Sequence, residues 1–123
     1  MTKEEQLKEY NSLLDPDLQQ RILDFIKEKN GGVSFVELSR IDGVKGDYAM
    51  HLGKYENIIL WNELSKEAIV CLTELVKIKK IKPKNTQLLV YAVDGMTLRL
   101  PLAKRVMHYK KPRWMPVTFD LWK

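Results

Sequence analysis

Ser65-Lys66-Glu67-Ala68-Ile69-Val70-Cys71-Leu72-Thr73-Glu74-Leu75-Val76-Lys77 is the stretch on which the reading of the fold turns. Leu64, Ala68, Cys71, Leu72, Leu75 and Val76 recur at helical spacing and form one apolar stripe. Lys66, Glu67, Thr73, Glu74 and Lys77 fall on the opposite face. Ser65 supplies the side-chain oxygen of an N-cap. A helix with one apolar stripe has to bury it against other elements, and the chain offers candidates on both sides.

Upstream, Tyr55-Glu56-Asn57-Ile58-Ile59-Leu60-Trp61 reads as a strand with a buried middle. Ser34-Phe35-Val36-Glu37 has the spacing of a capping box, opening a short helix through Ile41. Asp15-Pro16 starts a longer helix to about Asn30, with Leu18, Ile22, Phe25 and Ile26 inward and Gly31-Gly32 as its stop. Leu7, Tyr10, Leu13 and Leu14 predict one more amphipathic helix over 3–14. The segment punctuated by Gly43, Gly46 and Gly53 carries no assignment.

Downstream, Ile78-Lys79-Lys80-Ile81-Lys82 is a basic, strand-like run that breaks at Pro83-Lys84-Asn85. Gln87 to Val93 and Met96 to Leu100 flank Asp94-Gly95, a dipeptide suited to the positive φ angles of a tight hairpin turn. In that register Val93 faces Met96, Tyr91 faces Leu98 and Leu89 faces Leu100, all on one apolar side. From Lys104 onward the periodicity is lost.

Charge divides the chain. Residues 1–76 hold nine Lys/Arg against fourteen Asp/Glu, a balance of −5, whereas residues 77–123 hold twelve Lys/Arg against Asp94 and Asp120, a balance of +10. Such asymmetry suggests a polyanionic partner for the basic half. The alternative is mutual attraction of the two halves within the fold. The candidate phosphate-binding residues are Lys77, Lys79, Lys80, Lys82, Lys84, Arg99, Lys104, Arg105, Lys110, Lys111 and Arg113. They are expected on one face, formed by residues 77–84, the Asp94-Gly95 hairpin and residues 104–113.

Tyr109 and Trp114 interleave with these charges, an arrangement that suits base stacking by single-stranded nucleic acid; their other reading is packing onto the core. The segment from Trp114 to Trp122, with Phe119 between, either docks into a partner or folds back to close the domain's own core.

Other chemistries lack their residues. Cys71 sits on an apolar stripe with no nearby His to activate it. His51 and His108 have no ligand at metal spacing. Gly43-Val44-Lys45-Gly46 lacks the Lys-Ser/Thr end of a phosphate loop. Neither an enzyme, a cofactor nor a metal is expected. No apolar run approaches the roughly 20 residues of a membrane span, and Met1-Thr2-Lys3-Glu4-Glu5 does not read as a secretory signal. The cytoplasm is the expected compartment.

The order of elements from Pro16 to Leu100 resembles a winged helix-turn-helix, on the helix after Ser65, the strand at Ile81 and the Asp94-Gly95 hairpin. The resemblance implies an α+β fold of about four helices with a small antiparallel sheet. It departs from that family in the length of residues 42–61 and in Glu63, Glu67 and Glu74 on the candidate recognition helix. Around Tyr109-Lys110-Lys111-Pro112-Arg113-Trp114 the chain is also similar to small accessory proteins of Gram-positive phages and mobile elements.

The expected organisation is a single domain, 1–123. It comprises an N-terminal helix (1–14), a winged-helix-like core (15–103) and a basic, aromatic C-terminal extension (104–123). The expected function is nucleic-acid binding, DNA before RNA, in replication or regulation of such an element. The alternative is a subunit that docks on a polymerase, primase or helicase through its C-terminal aromatic segment.

Overall fold

The computed structural model describes residues 2–122; Met1 and Lys123, the ends of the expected domain, lie outside the described residues. The chain runs α1 (Lys3–Leu13), α2 (Pro16–Glu28), α3 (Phe35–Leu38), β1 (Tyr48–Leu52), β2 (Tyr55–Leu64), α4 (Lys66–Lys77), β3 (Ile81–Asn85), α5 (Leu88–Asp94), β4 (Arg113–Trp114) and β5 (Val117–Leu121). One sheet has the order β1-β2-β4, antiparallel then parallel; the other is the antiparallel pair β3-β5. The protein is α+β, in an arrangement compatible with a winged-helix-like fold. No helix among the described residues is long and apolar enough to cross a membrane.

The caps read from sequence are made. Asp15 accepts from the N–H groups of Asp17 and Leu18, Ser65 accepts from Ala68, and Ser34 and Glu37 form the reciprocal capping box. The stripe of α4 is interior, with Ala68, Cys71 and Leu72 fully buried and Val76 partly so. It packs with Leu18, Ile22 and Ile26 of α2 in one core. Burial pushes the Cys71 thiol up from its ordinary value, and its Sγ–H donates to the Asp15 carbonyl. That keeps the thiol protonated and poorly nucleophilic.

The unassigned segment before β2 becomes β1, joined to β2 by a two-residue turn at Gly53-Lys54. Gly46 brings this segment against the β2–α4 junction. A Cβ there would lie 2.6 Å from the Ser65 backbone, so the crossing admits only glycine.

The expected Asp94-Gly95 hairpin is absent, and residues 88–94 form α5 instead. Gly95 takes φ +103 as the left-handed stop of this helix, its N–H donating to the Tyr91 carbonyl. The same dipeptide thus serves a helix end as readily as a turn. The choice between them is tertiary. Tyr91 is fully buried, its hydroxyl donates to the Val117 carbonyl at 2.6 Å, and it accepts from the Phe35 N–H at 3.2 Å. Asp94 accepts from the Ser34 hydroxyl at 2.6 Å. Of the expected facing pairs, Tyr91 is the one that turns fully inward, while Leu89 and Val93 remain 67% and 77% exposed.

The basic run beyond α4 does not break at Pro83 either. Pro83 lies within β3, opposite Phe119, on an edge strand that tolerates a residue without an N–H.

Residues 113–121 join both sheets. β4 adds to β2, β5 pairs with β3 on one edge, and Val33 bridges its other edge at Phe119. Phe35, Trp61, Tyr91, Trp114 and Phe119 form a continuous aromatic core, with ring centroids of contacting pairs 5.0–6.1 Å apart. The Trp114 indole N–H donates to the Leu60 carbonyl at 3.2 Å. The Trp61 indole N–H is buried without a partner among the described residues. Such an orphan costs about 1–3 kcal/mol, which aromatic pairs at about 0.5–1.5 kcal/mol each help to offset.

Candidate nucleic-acid interface

The basic residues fall into two organised groups. The first is a loop between Ala103 and Arg113. Its ends are pinned where the Ala103 N–H donates to the Trp114 carbonyl and the Trp114 N–H donates to the Pro101 carbonyl, each at 2.8 Å. A loop with ends this close is an Ω-loop, and it carries Lys104, Arg105, Lys110 and Lys111, with Arg113 at its base.

Tyr109 organises this loop from within. Its hydroxyl donates to the Arg105 carbonyl at 2.8 Å and accepts weakly from the Arg105 N–H at 3.4 Å. Its own carbonyl accepts from Asn57 Nδ2 at 2.7 Å, which ties the loop to β2. The Arg113 guanidinium lies 4.6 Å from the centre of its ring. His108 packs on Tyr55 with ring centroids 4.7 Å apart. Tyr109 is therefore a half-buried structural residue, its ring already engaged by Arg113.

The second group surrounds the turn from α4 into β3. Lys77 ends α4, Lys79 takes a left-handed φ of +60 in the turn, and Lys82 and Lys84 alternate along β3 with Ile81 and Pro83. Trp122 sits among them. Its backbone N–H donates to the Lys80 carbonyl at 3.0 Å, and the ammonium groups of Lys79 and Lys82 lie 5.8 and 5.9 Å from its ring. The indole is 46% exposed. Lys82 stands opposite Asp120 in the ladder, but that carboxylate accepts from the Gly32 N–H at 2.7 Å instead.

None of the eleven candidate cations is buried. Among the described residues the single ion pair is Arg21–Asp17 at 2.9 Å, so none of the eleven is neutralised by a carboxylate of the acidic half. Arg99 is exposed in the turn after α5, not on a wing.

The aromatic candidates separate. Trp114 and Phe119 are 0% and 1% exposed and cannot stack on a base or dock on a partner from these positions; their apolar area belongs to the core. Trp122 remains available. Sequence reasoning missed Asn57, the anchor of the Ω-loop. It also missed the outward face of α5, where Leu88, Leu89, Val90 and Val93 are all exposed. The only signal for the latter was an apolar run too short to separate helix from strand.

An apolar cleft of about 330 Å³ opens between the β1–β2 hairpin and α4. Its walls carry no lysine, arginine or carboxylate, which sets it apart from the basic groups. No protein-family model matches this chain, and neither a curated protein nor a solved structure matches it.

Proposed function

We propose that the protein binds nucleic acid, DNA before RNA, chiefly through phosphates, as a cytoplasmic accessory factor in replication or regulation of a phage or mobile element. One observation carries this reading: eleven cations of the C-terminal half lie outside the core, and none has a carboxylate partner among the described residues. Cations already paired on the surface would have little left to offer a polyanion. Unpaired ones displace counterions from the phosphate backbone, the main source of sequence-independent affinity.

Fluorescence anisotropy with single- and double-stranded oligonucleotides at several salt concentrations tests the proposal. Binding at low salt that falls steeply as salt rises is the expected result. Negligible affinity at low salt rejects it.

Docking on a larger protein is a second reading, supported by the outward face of α5 and, within the C-terminal aromatic segment, by Trp122 alone. Leu89 and Val93 stand one helical turn apart there, both largely exposed. Under that reading Leu89→Glu with Val93→Glu abolishes the complex and leaves DNA affinity unchanged.

A further inference from the structure

The Ω-loop has an apex of a different chemistry from its sides. The Tyr109 hydroxyl, folded back on the Arg105 backbone, closes a short turn that contains Val106 and Met107. They are 51% and 38% exposed. His108 is drawn aside onto Tyr55, and cations flank the pair on both sides in the chain. Val106 is thus held out to solvent, with Met107 half-covered beside Tyr55, Glu56 and Asn57, on a cationic loop pinned at its base and through Asn57.

We infer that this loop enters the minor groove of duplex DNA, with Val106, backed by Met107, as a wedge that partly unstacks one base step. The inference rests on the nucleic-acid reading and commits it to a bent duplex. Proteins that kink DNA from the minor groove insert apolar side chains between base steps while nearby cations hold the phosphates. The minor groove is about 6 Å wide, too narrow for a helix, and the apex is irregular backbone carrying two side chains. Internal closure of the loop favours this use, because a wedge ordered before binding loses less freedom on insertion.

An anionic membrane could also attract an apolar apex among cations. A whole myristoyl chain gives only marginal, reversible membrane association, and Val106 and Met107 together offer fewer carbons than such a chain. One base step needs no more apolar surface than these two residues supply.

The test uses the full chain and a duplex of about 25 bp, a length suited to bending measurements. It carries a central TA step, which kinks easily, and a donor–acceptor dye pair at its ends. Wild-type protein should raise energy transfer between the ends. Val106→Ser with Met107→Ser should return it to the level of free DNA while the salt slope stays unchanged and low-salt affinity falls by roughly tenfold or less. Binding without a change in energy transfer, or an equal bend from the Ser variant, overturns the wedge and leaves the phosphate-binding reading standing. No binding at low salt overturns both. Phosphatidylserine vesicles serve as the control. If the double substitution abolishes vesicle binding and leaves DNA bending intact, the apex belongs to a membrane and the inference fails.

Discussion

Residues 104–113, rich in Lys and Arg around Tyr109, and residues 114–121, which carry none, adjoin in the chain and take opposite places in the molecule. The first stretch is an exposed cationic loop held by hydrogen bonds to Tyr109. The second runs through the core, with Trp114, Met115, Val117 and Phe119 buried and β5 pairing with β3. The boundary falls at Arg113-Trp114, where strand alternation sends Trp114 inward and leaves Arg113 partly exposed against Tyr109. The difference teaches that aromatic and basic residues interleaved in sequence need not share a surface. In this protein the cations face outward while one aromatic braces them and the next fills the core.

The sharpest way to break this contrast is Trp114→Ala. It removes a fully buried ring and the N–H bond to Leu60, and should cost about 3–5 kcal/mol in a denaturant melt. A loss under about 1 kcal/mol would put Trp114 on the surface, in the range of exposed substitutions.

Tyr91→Phe is the next largest. It leaves the Phe35 N–H and the Val117 carbonyl without their partner, for an expected loss of about 1–3 kcal/mol. It also has a signature in pH. Burial holds the Tyr91 phenol well above its ordinary value, and the unfolded chain ionises near pH 10. Above that pH the unfolded state binds fewer protons than the folded one, so stability is fully present below about pH 10 and falls as pH rises beyond it. Tyr10, pushed up to about 12 mainly by burial and also by its bond to Glu74, acts in the same direction. The alkaline fall in Tm should be shallower in Tyr91→Phe than in wild type, and equal slopes would remove the phenol from the account.

Trp122→Ala probes the exposed aromatic. Being half-exposed, it should change stability by about 0.5 kcal/mol or less. If the indole between Lys79 and Lys82 is a stacking platform, single-strand affinity drops by about 1–3 kcal/mol. Unchanged single-strand affinity would restrict the interface to the phosphates.

How much of this was legible follows from the length of each pattern. α4 carries three turns of consistent stripe behind a capping serine, and its face was readable residue by residue. α5 was not, because seven residues of mostly apolar chain before a glycine satisfy both periods. The deciding partners of Tyr91 lie 56 and 26 residues away, at Phe35 and Val117. β1 exposes most of its side chains and pairs irregularly, so it left no alternation to read. At the candidate site, the cations and their lack of burial followed from charge. The Ω-loop did not, since its ends are closed by backbone bonds of Trp114 and its anchor on β2 joins Asn57 to Tyr109 across 52 residues.

The central claim is that unpaired cations of the C-terminal half bind phosphate, and the slope of log affinity against log salt tests it most directly. Lys110→Ala with Lys111→Ala should leave stability within about 0.5 kcal/mol. On duplex DNA it should weaken binding to unrelated sequences about equally and flatten the slope by up to about 1.8, near 0.9 for each phosphate no longer neutralised. A wild-type protein that binds no DNA at low salt, or a double variant with an unaltered slope and affinity, would contradict the account.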